Sequence, residues 1–224
     1  MSKKTLFISA DHGLAIAYFL QTDVLTTILD AGVEVVVLTD DGIKNQISER
    51  FARPGLTIEG LRFSECRQYF DQKDHNLQYW LHFLRWMGGS NQINTNAMDG
   101  HMRQMAHETS RRGKLIMPWI KGATAILRRS RQARRVLLNA QRRYTPDLYA
   151  DLIKKYQPSA VVASTPGWRW DRYLLREAAR QGISTGAAII GWDNPSSYRL
   201  SGAPVNWITC WSEIQKDELV RGSD

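Results

Sequence analysis

The sequence predicts an α/β protein with a Rossmann-like, doubly wound and mainly parallel sheet that is interrupted by a large helical insertion. Short aliphatic, β-branched runs alternate with helical patterns at both ends of the 224-residue chain. Between about residues 66 and 156 the strand patterns are absent. The hydrophobic share of 43% is typical of a globular protein that buries a core. The length suits one large domain, so we expect a single domain over 1–224.

The first part of the chain reads as a βαβ unit followed by a further helix and strand. Apolar residues recur at spacings of three and four after the first strand, which predicts one helix that ends at Gly32. Asp40 or Asp41 is expected to cap the next helix, which runs to about Phe51. The predicted strands are 5–10, 33–39 and 56–60. Their continuous apolar character indicates strands buried on both faces, as in a parallel sheet.

The middle of the chain predicts helices only. One helix is marked by apolar residues between 77 and 84, and a basic helix is expected from about Pro118 to Arg143. Thr145-Pro146-Asp147 predicts a new helix with proline in its first turn.

The α/β pattern returns after this insertion. Strands are predicted at 160–163, 184–190 and 207–210, and a helix at 170–181 is expected to stop at Gly182. Ser212 and Gln215 form a predicted capping box for a final helix. The whole pattern therefore predicts about six strands.

Composition limits the possible classes of protein. No apolar run is long enough to span a bilayer, and no secretory cleavage signal is visible, so we expect a cytoplasmic protein. Cys66 and Cys210 lie far apart and are expected to be free thiols without metal-ligand spacing. The net charge is +8, and residues 103–143 hold twelve Lys/Arg against one acid, Glu108. This basic segment predicts an anionic partner.

The first strand-to-helix turn, Asp11-His12-Gly13, is the leading candidate catalytic position. Turns of this kind expose backbone N–H groups at a helix N-terminus, and a histidine there can act as a general base. We therefore assign His12 and Asp11 catalytic roles and Gly13 a substrate-binding role. The alternative is structural, with Gly13 permitting the turn and Asp11 capping the helix. The dinucleotide fingerprint is absent.

Polar residues also follow two later strands. Ser164 and Thr165 offer hydroxyl groups, and Trp192, Asp193 and Asn194 offer an apolar ring, a carboxylate and an amide suited to a sugar. Because ligands of open α/β sheets bind beyond the carboxyl ends of the strands, these five residues are predicted to contact substrate. A Pro-Gly turn and an Asx turn are the structural alternatives.

The basic helix predicts a contact with an anionic membrane surface. Tryptophan and aliphatic residues on one face and arginines on the other are typical of an interfacial helix. A solvated basic face is the alternative, and no nucleic-acid module is recognisable, so we expect no nucleic-acid partner. The residues assigned to the membrane are Trp119, Lys121, Arg128, Arg129, Arg131, Arg134 and Arg135.

Two motifs near the end of the chain resemble those of bacterial GT-B glycosyltransferases of surface carbohydrates. The motifs are Trp192-Asp193-Asn194-Pro195-Ser196-Ser197 and Trp211-Ser212-Glu213-Ile214-Gln215-Lys216, and the opening segment 7–14 is similar to the start of a GT-B N-terminal half. After Ser197 the family pattern continues with lysine or glycine, whereas Tyr198-Arg199 stands here.

The resemblance implies the acceptor-side half of an enzyme that moves a sugar from a nucleotide sugar to a saccharide or lipid-linked acceptor. It also implies that a C-terminal donor domain is absent, that the isolated half is inactive, and that no metal or further cofactor is needed. The expected location is the cytoplasm, and a peripheral position on the inner face of the cell membrane stays open. A glycerophospho- or polyol-phosphate transferase, a nucleotide-sugar epimerase and a non-catalytic membrane-docking module stay open as alternatives.

Overall fold

The structure is a computed structural model that describes residues 4–92, 100, 102–103, 111–191 and 200–223. The chain divides into two compact units. The sheet unit contains residues 1–73, 145–190 and 203–210, and the helical unit contains residues 74–144, 191–202 and 211–224.

The sheet unit is built on six parallel strands in the order β3-β2-β1-β4-β5-β6. The strands are β1 (Thr5–Ala10), β2 (Glu34–Thr39), β3 (Leu56–Gly60), β4 (Ala160–Ala163), β5 (Ser184–Ala188) and β6 (Trp207–Thr209). The order reverses between β1 and β4, as in Rossmann-like doubly wound folds. The predicted α/β fold class is therefore confirmed.

Ten helices lie within the described residues. They are α1 (Gly13–Leu20), α2 (Asp23–Asp30), α3 (Lys44–Phe51), α4 (Phe63–Gln72), α5 (His75–Met87), α6 (Arg111–Arg129), α7 (Arg131–Arg142), α8 (Ala150–Tyr156), α9 (Asp171–Arg180) and α10 (Glu213–Ser223). The helices α1–α4, α8 and α9 belong to the sheet unit, and α5–α7 and α10 belong to the helical unit.

The sheet is buried on both faces, as its apolar strands predict. Phe7 and Val161 belong to one apolar core, which also receives Leu174 of α9. Ile8, which follows Phe7 in β1, belongs to a second core together with Phe19 of α1. Because successive side chains of a strand point to opposite faces, this alternation places helices on both sides of the sheet.

The first predicted helix is wrong in one respect, because the structure has two helices in its place. α1 ends at Leu20, and α2 begins at Asp23 with Thr22 as its N-cap. The Thr22 hydroxyl accepts a hydrogen bond from the backbone N–H of Val24. A capping threonine inside an apolar pattern restarts the helix without interrupting the periodicity. Gly32 and Gly182 have φ of +76°, the left-handed conformation that the predicted helix stops require.

The basic segment also forms two helices instead of one. α6 begins at Arg111 and contains Pro118 in its interior, whereas the sequence predicted a start near Pro118. Ser130 separates α6 from α7, and its hydroxyl accepts a hydrogen bond from the N–H of Ala133 at 3.2 Å. The predicted cap at Ser212 is confirmed, because its hydroxyl accepts a hydrogen bond from the N–H of Gln215. Oε1 of Gln215 in turn accepts a hydrogen bond from the backbone N–H of Trp211.

Candidate functional site

The register of the sheet brings two of the predicted loops together. β1 pairs with β4 in parallel, with Ser9 opposite Ala163, so both strands end at the same edge of the sheet. Asp11 follows the end of β1 and Ser164 follows the end of β4. The Ser164 hydroxyl donates a hydrogen bond of 2.9 Å to Oδ1 of Asp11, although the two residues are 153 positions apart. The turn after β1 and the loop after β4 are therefore in contact at this edge of the sheet.

Asp11 is the centre of the cluster. Its side chain is almost completely buried and lies between three partners. Oδ1 lies 2.6 Å from Nδ1 of His12 and also accepts the Ser164 hydroxyl. Oδ2 lies 2.6 Å from Nε of Arg169. His12, rather than Asp11, occupies the N-cap position of α1, so the proposed capping role of Asp11 is wrong.

The second buried carboxyl of the cluster, Asp171, holds the loop after β4 in place. Its Oδ2 accepts the Thr165 hydroxyl at 2.6 Å, and its Oδ1 accepts the backbone N–H of Arg169 at 3.1 Å. The Thr165 oxygen also accepts the N–H of Trp168. Thr165 is thus buried and bonded within its own loop. Its hydroxyl supports the loop that carries Arg169.

The two carboxyl groups differ in their electrostatics. Burial alone would raise the pKa of Asp11, but the hydrogen bond from His12 and the charge of Arg169 together lower it. Burial raises the pKa of Asp171 to about 7, and the negative charge of Asp11 adds to the rise. The cluster therefore keeps its negative charge on Asp11, beside the arginine and the histidine.

Among the predicted site residues that the structure describes, His12 combines an accessible side chain with a group that can accept or donate a proton. Its side chain is 28% exposed, while Asp11, Ser164 and Thr165 are buried. Since Asp11 is a carboxylate, the 2.6 Å contact is a hydrogen bond that Nδ1 of His12 donates to Oδ1. In the neutral form of a ring held in this way, Nε2 is the acceptor. Within the described part of the chain, no hydrogen bond to Nε2 is present. A histidine held in this way can accept a proton from a bound hydroxyl group.

Gly13 is the first residue of α1 and does not adopt a left-handed conformation. A Cβ atom added there would meet no atom of the described residues within 4 Å. The described part of the chain therefore leaves room beside the start of α1, and the backbone does not require glycine at this turn.

Arg169 and Asp171 are functional-site candidates that the sequence did not reveal. Arg169 lies between two tryptophans, and an acidic residue in the first turn of a helix is common. Neither pattern signals a charge network. Only the bonds to Asp11 and to the loop backbone identify them.

The remaining predicted substrate residues, Trp192, Asp193 and Asn194, lie outside the described residues. Their predicted role stays a prediction. The strand that precedes them, β5, ends at Ala188, two residues earlier than the sequence suggested.

Most of the predicted membrane residues lie on the surface of the helical unit. Trp119, Lys121, Arg129, Arg131 and Arg135 are exposed, and Arg128 is half-buried. Arg134 differs from the prediction. It is only 3% exposed, and its guanidinium donates hydrogen bonds to the carbonyl oxygens of residues 127 and 128.

Cys66 is not suited to nucleophilic chemistry. Cys66 and Cys210 are both free thiols, as predicted. Cys66 is completely buried, and burial raises its pKa to about 11 despite a hydrogen-bond contact with Tyr149. Over the described residues there is no group of three or more His, Cys, Asp or Glu side chains that could hold a metal ion. The same residues include no helix long and apolar enough to cross a membrane.

Comparisons with protein-family models, with curated proteins and with solved structures found no match for this chain.

Proposed function

We propose that this chain is the acceptor-binding half of a glycosyltransferase that moves a sugar from a nucleotide sugar to a saccharide or lipid-linked acceptor of the bacterial cell envelope. The observation that carries the proposal is the accessible imidazole of His12, with the carboxylate of Asp11 behind it. Support also comes from its position beyond the carboxyl ends of β1 and β4, next to the point where the strand order reverses. The sequence motifs that resemble those of GT-B transferases indicate glycosyl transfer as the class of reaction.

In the proposed step, His12 is the general base. Its Nε2 takes the proton of an acceptor hydroxyl while the acceptor oxygen forms a bond to the anomeric carbon of the donor. The bond between that carbon and the phosphate oxygen breaks, and its electron pair leaves with the nucleoside diphosphate. Asp11 keeps Nδ1 protonated and stabilises the imidazolium that forms. Ser164 and Arg169 hold the two oxygens of Asp11 and act as positioning residues.

The test is sugar transfer by the natural gene product. Radiolabelled nucleotide sugars are supplied one at a time with acceptors extracted from bacterial membranes, and incorporation into the acceptor fraction is measured. Because positioned general bases contribute roughly 10²- to 10⁴-fold, we expect His12→Ala to reduce the rate by about that factor.

His75→Ala is the matched control, since His75 is exposed and lies in the helical unit. Its rate should equal that of the wild type. An unchanged rate for His12→Ala, or an equal loss of rate in both variants, would show that His12 is not the general base.

We also propose that the protein lies against the cytoplasmic face of the cell membrane. The basic helices α6 and α7 support this location, because residues 111–143 contain eleven Lys/Arg and no acidic residue. Such a segment is attracted to anionic lipid headgroups.

A further inference from the structure

Helix α6 has two apolar stripes on opposite faces. The inner stripe consists of Gly113, Met117, Ile120, Thr124 and Leu127, all of which are buried. Met117 and Ile120 belong to one apolar cluster of the helical unit, and Leu127 belongs to another. These positions follow one another at spacings of four and three, as one face of a helix requires.

The outer stripe consists of Leu115, Trp119 and Ile126. Leu115 is 76% exposed, Trp119 is 81% exposed and Ile126 is 63% exposed. The three positions lie four and seven residues apart, so they share one face of α6, roughly opposite the buried one. An isolated exposed leucine is common on protein surfaces, but an aligned tryptophan, leucine and isoleucine indicate a binding surface.

One side of this stripe carries positive charge. Lys114, Lys121 and Arg129 are exposed on α6. Helical geometry places them between the inner and the outer stripe. With no Asp or Glu between residues 111 and 143, no acidic side chain of this segment opposes their charge.

From this arrangement we infer that the outer face of α6 inserts into the interface of a bilayer that contains anionic phospholipid. Leu115 and Ile126 would enter the acyl boundary, Trp119 would lie at the headgroup level, and the three flanking cations would contact lipid phosphates. Aliphatic side chains favour hydrocarbon over nucleobases, which stack on aromatic and guanidinium groups. The inference rests on the proposed peripheral location and is independent of the chemistry at His12.

The surface differs from the one expected from sequence. The sequence put tryptophan and aliphatics on one face, whereas the structure divides them between an inner and an outer face. Arg134 is buried and does not contribute to the proposed lipid contact. The inserted residues are Leu115, Trp119 and Ile126, two of which were not among the residues first assigned to the membrane.

The experiment is flotation of the purified chain with vesicles of phosphatidylcholine alone and of phosphatidylcholine with 30% phosphatidylglycerol (roughly the anionic share that gives a clear surface potential). The wild type should float with the anionic vesicles and much less with the neutral ones. Trp119→Ser should weaken partitioning at least about 10-fold, and so should the double variant Leu115→Ser/Ile126→Ser. Lys114→Gln/Lys121→Gln should weaken it by roughly 10- to 30-fold and reduce its salt dependence.

Leu77→Ser is the matched control, because Leu77 is 52% exposed on α5 of the same unit and lies outside the basic segment. It should float like the wild type. Thermal unfolding of each variant checks that the fold is intact, as expected for substitutions at exposed positions.

The inference would be overturned if both stripe variants floated like the wild type, or if Leu77→Ser lost as much flotation as they do. It would also be overturned if the chain bound polyuridylate more tightly than vesicles and Trp119→Ser abolished that binding. His12→Ala separates the two proposals. If it floats like the wild type but transfers sugar normally, the catalytic proposal fails and the docking surface stands.

Discussion

The buried carboxyl of Asp171 predicts a pH-dependent stability that an isosteric substitution should remove. Asp171 is completely buried, and burial raises its pKa from the ordinary 3.8 to about 7. In Asp171→Asn, the amide oxygen can accept the N–H of Arg169 and the amide nitrogen can donate to Thr165. The loop therefore keeps its two contacts while the titration disappears.

The sign follows from proton linkage. Between about pH 4 and 7 the folded state holds a proton on Asp171 that the unfolded state has lost, so stability falls as pH rises through this window. A shift of about three pKa units corresponds to a ceiling of about 4 kcal/mol, at 1.36 kcal/mol for each unit. The steepest loss from this group is about 1.4 kcal/mol per pH unit, the limit for a single proton. Burial also raises the pKa of Glu177 to about 7, so the titration of Glu177 lowers stability as pH rises in the wild type and in Asp171→Asn alike.

The assay is urea denaturation at pH 4.5, 5.5, 6.5 and 7.5, followed by circular dichroism. Relative to the wild type, Asp171→Asn should gain on the order of 2–4 kcal/mol of unfolding free energy from the lowest to the highest pH. Asp151→Asn serves as the comparison. Its hydrogen bond with Arg62 lowers the pKa of Asp151, so its own titration falls below this window and its slope should match the wild type.

A difference between Asp171→Asn and wild type that stays constant with pH would mean that Asp171 is ionised in the folded state throughout. The reasoning from burial would then be refuted. If the unfolding free energy of Asp171→Asn relative to the wild type fell as pH rose, the predicted direction of the pH dependence would be refuted.

Two further predictions concern glycine and helix capping, and unfolding free energies from urea titrations check both. Gly186→Ala should cost about 1–3 kcal/mol, because a Cβ there would lie 2.2 Å from the ring of Trp207. Gly13→Ala meets no atom within 4 Å among the described residues and should change stability by less than about 1 kcal/mol. Equal costs would contradict the packing around β5. Ser130→Ala should lower the unfolding free energy by about 1 kcal/mol through loss of the cap of α7, whereas Ser130→Thr should retain most of the stabilisation by the cap. A loss in Ser130→Thr as large as in Ser130→Ala would argue against a capping role.

The sheet could be predicted from sequence because its signals are local. A run such as Val35-Val36-Val37-Leu38 is short, rich in β-branched residues and apolar at every position, which favours a strand buried on both faces. Gly32 and Gly182 mark helix ends, because a left-handed φ is easy for glycine and costly for other residues. The breaks at Thr22 and Ser130 were missed, since a capping residue leaves the apolar periodicity on either side intact.

The candidate site could likewise be predicted only where its signals are local. His12 and Ser164 could be proposed from sequence because each follows a predictable strand. Their link through Asp11 depends on β1 lying beside β4, and that pairing joins residues more than 150 positions apart. The roles of Arg169 and Asp171 follow from the same pairing, because their partners are identified only once the loop after β4 has a position.

The sequence by itself determined the strands, their apolar character on both faces and the excess of positive charge between residues 103 and 143, since each depends on neighbouring residues alone. Only the tertiary structure decided which apolar stripe of α6 is buried. The inner stripe repeats at spacings of four and three, and the outer stripe at four and seven. Both spacings fit one face of a helix, so periodicity cannot distinguish the set around Ile120 from the set around Trp119. Contact with the helices of the same unit buries Ile120 and leaves Trp119 at the surface.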